Sequence, residues 1–345
     1  MSETLSPSRM NCLLECPRKH YYKYELGIEK VEKSKALSLG SAWADFKERF
    51  RRGAPVELAV AQVVEAQKDI ANLNIPQFVA MATAYGECYG DRDVYRHIYP
   101  EVEFKRHMDE LPGDFIAIGR LDAICVTHGG EHVINEDKST SQDISQGAPY
   151  WDRLFFNVQA LQYVCEVRLL GWDVHRVVYE AARKPKTERK TIPTLDENGQ
   201  KIVICDETGE RAYNKDGKPR QAAGEGFTIQ GRMETDDEYA GRMKADIVAA
   251  PEKWFAQQDI WVTDDSLDEF ACHRLACVRT ILANREAGAA LADPAKAWPR
   301  NVDSMRCRMC DYCGFCLQGG RPDPDALPEG FISRRHGTQE EQPQG

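Results

Sequence analysis

The chain has 345 residues, with 45 Lys and Arg against 55 Asp and Glu, a formal net charge of −10. That length is enough to bury a substantial core in one large domain or two. No apolar run approaches the ~20 residues of a membrane span, and nothing resembles a secretory leader, so the expectation is a soluble cytoplasmic protein. An acidic total does not exclude nucleic acid, because binding needs a local basic groove rather than a basic sum. Twelve cysteines in such a chain point to metal or cluster ligation rather than disulfides.

Ser6-Pro7-Ser8 predicts a helix start, with Ser6 as cap and Pro7 in the first turn. That helix carries Met10, Leu13 and Leu14, continues past Pro17 through Tyr21-Tyr22-Lys23-Tyr24, and ends at Leu26-Gly27-Ile28. A second helix opens at Leu37 and runs through Trp43, Phe46 and Phe50, and two more cover 55–71 and 76 to about 97. Strands follow at 101–104, 115–118, 124–126 and 132–134. One long helix is expected from Tyr150 to Leu170, since Trp151, Leu154, Phe155, Val158, Leu161, Cys165 and Leu169 recur at helical spacing. Val174 to Ala182 reads as a further strand, giving a β-β-β-α-β order.

A basic run (Arg183, Lys184, Lys186, Arg189, Lys190) then leads into three evenly spaced Gly turns, the pattern of an inserted ribbon. Helices return at 234–250 and 266–287, and the polar, Pro- and Gly-rich end predicts a disordered tail. The divisions are therefore a helical N-terminal portion (1–97), an α/β core (98–182), the ribbon (183–232), C-terminal helices with a cysteine segment (233–320) and the tail (321–345).

Chemistry concentrates in Gly119-Arg120-Leu121-Asp122 and, past a turn at Gly129-Gly130, in Glu136-Asp137-Lys138. A hairpin would bring Asp122 to Glu136, with Lys138 on the same face as Glu136. Gathered carboxylates are costly unless a cation neutralises them, so Mg²⁺ or Mn²⁺ on Asp122, Glu136 and the Asp137 carbonyl is the natural occupant. Such a centre suits phosphodiester hydrolysis, with Lys138 placing water or offsetting charge on the phosphorane and Glu103 as a further ligand. The competing reading of each residue is an ordinary surface salt bridge.

These features resemble the PD-(D/E)xK nuclease superfamily, in its RecB-like branch with the CRISPR-adaptation and phage-encoded exonucleases. The matching stretches are Ser8 through Cys16-Pro17 to Gly27, Gly119-Arg120-Leu121-Asp122, Glu136-Asp137-Lys138 and Gln159-x-x-x-Tyr163, with Tyr150-Trp151-Asp152-Arg153-Leu154 similar to the phage type. The resemblance implies a restriction-endonuclease-like core, a mixed central sheet flanked by helices. It implies metal on Asp122 and Glu136, a catalytic Lys138, and Gln159 and Tyr163 holding DNA or ordering the site. The activity implied is a Mg²⁺- or Mn²⁺-dependent exonuclease on single-stranded DNA or DNA ends, serving recombination, repair or phage DNA metabolism in a bacterial or phage-infected cell. One position departs: the histidine of the Gly-x-x-x-His pattern is Ala44 here. That loss leaves open a DNA-binding or assembly protein of the same fold that has given up catalysis.

Cys307, Cys310 and Cys316 have the C-x₂-C-x₅-C spacing of the iron–sulfur nucleases in this branch, whose fourth ligand precedes proline in the first helix, here Cys16. The resemblance thus implies a [4Fe–4S] cluster clipping the C-terminal segment to that helix. Zinc on four thiolates is the alternative, and Cys12 and Cys313 stay open as substitute ligands. Lys105, Arg106, Arg120 and the basic run at 183–190 are candidate phosphate contacts. Tyr21, Tyr22 and Tyr24 read first as core and second as base-stacking platforms.

Overall fold

The structure is a computed structural model that describes residues 2–31, 35–67, 73–90, 94–155, 157–319 and 322–334. A short strand β1 (Glu3–Leu5) precedes α1 (Pro7–Glu15), whose Ser6 cap accepts from the Arg9 amide at 3.2 Å. Pro17 has no N–H to give the preceding turn, so the expected single helix is divided. It continues as α2 (Pro17–His20) and a π-helical turn at Tyr21–Glu25. Gly27 closes the segment with φ at 66°, a left-handed value that glycine takes without strain, and β2 (Ile28–Lys30) follows.

Helices α3 (Lys35–Arg51), α4 (Val56–Ala66) and α5 (Ile75–Tyr89) come next. The expected helix end beyond Ala66 falls largely outside the described residues. The helix expected to reach 97 stops at Tyr89, and the sheet begins earlier than predicted with β3 (Tyr95–His107). Strands β4 (Phe115–Thr127) and β5 (His132–Thr140) form the anticipated hairpin. The long helix expected from Tyr150 is two: α6 (Pro149–Phe155) and α7 (Val158–Leu169). Asn157 separates them by capping α7, accepting from the Gln159 amide at 2.9 Å.

After β6 (Val174–Arg183) the ribbon forms two separate pairs: β7 (Thr191–Pro193) with β10 (Gly231–Met233), and β8 (Val203–Cys205) with β9 (Phe227–Ile229). Helix α8 (Asp236–Ala249), β11 (Phe255–Trp261), α9 (Asp264–Ala289), α10 (Ser304–Arg308), α11 (Cys313–Leu317) and β12 (Phe331–Ser333) complete the chain. β12 lies in the stretch expected to be a disordered tail. Backbone pairing to β2 holds it, with Phe331 opposite Lys30. The rest of that tail, from 335, lies outside the described residues.

The central six-stranded sheet is mixed, in the order β1-β4-β5-β6-β11 with β3 on the other side of β4. β4 runs parallel to β1 and antiparallel to β3 and β5, while β5 and β6 are parallel. Apolar residues of α1, α7 and α9 cover one face, including Met10, Val164 and Ile281. Helices α3, α4 and α5 cover the other with Trp43, Phe46, Val63 and Phe78. Among the described residues no helix is long and apolar enough to cross a membrane.

Candidate active site

β4 and β5 lie side by side only as far as Ala123, opposite Asn135. Beyond that pair β5 leaves β4 and follows β6, with Glu136 opposite Tyr179 and Lys138 opposite Ala181. The opened side of β4 is taken by β1 at Phe115–Ala117. Strands that part leave backbone donors without a ladder partner, and a buried donor must find another acceptor. Here the candidate catalytic carboxylates accept. The Asp137 amide donates to Asp122 Oδ2 at 2.7 Å, and the Asp122 amide donates to Glu136 Oε1 at 3.4 Å.

Strand alternation also breaks at this fork. Leu121 and Ile124 belong to one core cluster and Ala123 and Cys125 to the cluster on the opposite face. Three positions apart on a regular strand, Leu121 and Ile124 would face opposite ways. Gly119 has its own reason in the same stretch. A Cβ there would fall 2.3 Å from the Phe104 ring and 2.9 Å from the Tyr163 ring, so only glycine lets both rings pack.

Lys138 Nζ stands 3.0 Å from Glu136 Oε2 and donates to Gln159 Oε1 at 3.2 Å. Gln159 Nε2 donates to the Tyr163 hydroxyl at 2.9 Å, and that hydroxyl donates to the Arg120 carbonyl at 2.8 Å. One turn of α7 thus ties Lys138 and Glu136 back to the strand that carries Asp122. Burial, and then the charge of Asp122, push the Glu136 carboxyl up to about 8, with Lys138 opposing. Neighbouring Glu136 and Asp122 charges hold Lys138 protonated above the usual lysine range despite its burial.

One expected ligand is placed differently. Glu103 is exposed and pairs in register with Arg120. The carboxylate that reaches Asp122 from β3 is Glu101, which sits between the Pro100–Ala123 and Val102–Leu121 pairs. Its φ of 53° is unusual for a residue with a side chain, and its carboxylate pairs with Arg120 Nε at 2.7 Å. Burial, opposed by Arg120 and reinforced by the charges of Glu48 and Asp122, raises the Glu101 carboxyl to about 7. The register that puts Glu101 opposite Asp122 runs unshifted from Pro100 to Glu103, and no local feature of the sequence announces it. Asp137 turns its side chain to the far face of β5, where Lys47 and Arg51 of α3 meet it, leaving only its backbone beside Asp122.

Among the described residues no three His, Cys, Asp or Glu side chains gather closely enough to hold a metal ion. Two carboxylates and a backbone carbonyl still suit Mg²⁺, which takes one or two carboxylates and fills its octahedron with water and substrate phosphate.

The cysteines lie where the two ends of the chain meet. Asn301 Nδ2 donates to the Glu15 carbonyl at 2.9 Å, Arg18 Nε to the Trp298 carbonyl at 2.9 Å, and the Tyr312 hydroxyl to the Ile28 carbonyl at 2.8 Å. Tyr22 is buried against the Tyr312 and Phe315 rings, and Tyr21 against Trp298, which makes both core residues. All twelve cysteines are free. Burial raises the Cys310 thiol, with Lys19 opposing and Cys16 and Cys316 within electrostatic reach. Cys316 Sγ lies 3.9 Å from the Tyr22 hydroxyl. Cys16, Cys310 and Cys316 therefore share the junction, and Cys307 is joined to Cys310 by a backbone hydrogen bond at 3.2 Å.

Some candidate phosphate contacts are engaged internally. Arg106 pairs with Glu166 at 2.7 Å and Glu110 at 3.0 Å, and Arg189 pairs with Asp236. Arg120 is held by Glu101, while Lys105 is exposed.

Among solved structures, the crystal structure of SSO0001 is similar at 12% identity and a TM-score of 0.33, over 93% of this chain and 89% of that one. No curated protein matches. The family model of the PD-(D/E)XK nuclease superfamily matches residues 4–317, nearly the whole length. A mixed sheet flanked by helices accompanies that match, and the chain belongs to the PD-(D/E)XK nuclease superfamily, whose members are generally metal-dependent nucleases.

Proposed function

We propose that this chain is a deoxyribonuclease dependent on Mg²⁺ or Mn²⁺ that degrades single-stranded DNA or DNA from its ends. The observation that carries the reading is the fork, where Asp122 and Glu136 face one another through the backbone and Lys138 stands 3.0 Å from Glu136. Asp122, Glu136 and the Asp137 carbonyl would hold the metal, with Glu101 rather than Glu103 as the outer carboxylate. A bound divalent ion supplies Lewis acidity at the phosphate and a more acidic water. Lys138, fixed by Gln159, orients the attacking water and offsets charge as the phosphorane forms. Gln159 and Tyr163 keep that lysine in register with β4.

Cys16, Cys307, Cys310 and Cys316 would hold a [4Fe–4S] cluster, or zinc, as a clip between the chain ends. Their chemistry fits: soft thiol donors at one partly buried junction, none consumed by a disulfide. The second reading, a DNA-binding protein without catalysis, is favoured by one observation: Ala44 brings no ligand from α3. Anaerobic purification followed by incubation with end-labelled single- and double-stranded DNA, with and without Mn²⁺, separates the two. Cleavage that needs Mn²⁺ and disappears in Lys138→Ala supports the nuclease, whereas binding with no cleavage overturns it.

A further inference from the structure

Lys47 and Arg51 stand one turn apart on α3, and both face the sheet. Their side chains are 3% and 7% exposed, on the apolar side of the helix beside Trp43, Phe46 and Phe50. Lys47 Nζ lies 2.5 Å from Glu180 and 3.5 Å from Asp137, and Arg51 Nη1 lies 2.6 Å from Asp137. Arg51 also reaches the Asn135 side chain. Glu180 accepts from Asn135 and Gln257, each at 2.9 Å, and from the Tyr85 hydroxyl at 3.1 Å. Two cations face two carboxylates, so the charge cancels within the group.

Stability alone does not account for this arrangement. Replacing a buried ion pair with apolar groups of similar size is often neutral or stabilising, whereas removing one partner is strongly destabilising. The group does one thing that an apolar cluster would not do: it grips Asp137. Because β5 alternates, the Asp137 side chain points away from Glu136 and Lys138, and its amide donates to Asp122 at 2.7 Å. The connection therefore runs from α3 through the Asp137 carboxylate and its own backbone to the Asp122 carboxylate. A cavity of about 250 Å³ opens beside the group, bounded by Tyr85, Tyr89, Phe255 and Gln257. An Asp137 released from its cations has room to move there.

We propose that Lys47 and Arg51 are positioning residues that set the Asp122–Glu136 pair for its metal from behind β5. For cleavage the inference rests on the nuclease reading; for metal affinity it does not. The test uses the full chain and two double variants that each remove one buried cation and one buried anion. Lys47→Met with Asp137→Asn cuts the grip on Asp137. Lys47→Met with Glu180→Gln leaves Arg51 and Asp137 paired. Mn²⁺ affinity is read by electron paramagnetic resonance without DNA, kcat and KM on labelled DNA, and folding by melting temperature.

The first double is expected to bind Mn²⁺ roughly tenfold to a hundredfold more weakly than the second, the size of effect seen when groups behind metal ligands are lost. Its kcat falls while KM for DNA is held, and the two melting temperatures stay close. Equal Mn²⁺ affinity in the two doubles overturns the proposal, as does an affinity that simply follows melting temperature. If the first double does not fold, Arg51→Lys keeps the charge and shortens the reach. Unchanged Mn²⁺ affinity in that variant overturns the proposal, and weakened affinity in a folded protein supports it. Separated Mn²⁺ affinities in a parent that cuts no DNA leave the clamp standing and remove the nuclease reading.

Discussion

The fork between β4 and β5 takes its groups from one stretch, 101–163, whereas the junction under the cysteines joins 3–30 to 294–333. At the fork each charged group already has a protein partner: Asp122 has the Asp137 amide, Glu136 has Lys138, and Lys138 has Gln159. The geometry there is held by strands and by α7 before any ion arrives. At the junction the aromatic rings and backbone carbonyls make most of the contacts, Cys316 reaches the Tyr22 hydroxyl, and none of the four expected thiol ligands is in a disulfide. On the proposed reading the groups at the fork are held by the protein itself, whereas the junction would gain a further link from whatever its thiols bound. Substitutions should therefore act on rate in the first and on stability in the second.

The largest expected effect is Lys138→Ala, which should lower the single-turnover cleavage rate by roughly 10²- to 10⁴-fold. The melting temperature should stay close to that of the parent, and a collapse of folding along with activity would erase the contrast. Next is Cys310→Ser, with Cys16→Ser as its partner from the other end of the chain. Each should lose bound iron or zinc by elemental analysis and lower the melting temperature more than any fork substitution. Loss of DNA cleavage with metal content and stability intact would move these cysteines into the reaction instead.

A smaller effect comes from His20, stacked on Trp298 at 5.2 Å between ring centres. Burial, then the charges of Arg9 and Arg285, lower its pKa from 6.5 to about 3. The unfolded chain therefore takes up a proton that the folded one refuses. The stability tied to neutral His20 is complete above pH 6.5 and is lost as pH falls towards about 3. Urea midpoints measured downward from pH 7 should fall more steeply in the parent than in His20→Gln, and parallel curves would refute this. The smallest effect separates Glu101→Gln from Glu103→Gln. The first should lower cleavage by about tenfold, and the second should leave it within about twofold.

Local signals were readable in the sequence. Ser6-Pro7 marks α1, and the approach of Asp122 to Glu136 and the shared face of Gln159 and Tyr163 are legible because their residues sit on one hairpin and one helical turn, whereas the parting of β4 from β5 is not. Signals that depend on a distant partner were not. β11 reads as Phe-Ala-Gln-Gln-Asp-Ile-Trp, with little alternation, and becomes a strand because β6 offers it an edge. β1 and β12 are three residues each and exist only through their pairings. Lys47 and Arg51 are charges on an apolar helix face, which periodicity alone scores as solvent positions. Glu101 meets Asp122 because it lies between the Pro100–Ala123 and Val102–Leu121 pairs, a long-range register that the sequence of β3 alone does not disclose.

The pairing of β2 with β12 has a consequence during synthesis. Tyr22 and Ile28 leave the ribosome well before the residues that bury them, Tyr312, Phe315 and the strand at Phe331. At bacterial-to-eukaryotic elongation rates Tyr22 and Ile28 wait about 15–60 s for those partners to be made. Throughout that wait Tyr22 lacks the rings that cover it in the folded chain, and the segment from Tyr312 to Ser333 completes a surface that Tyr22 and Ile28 begin.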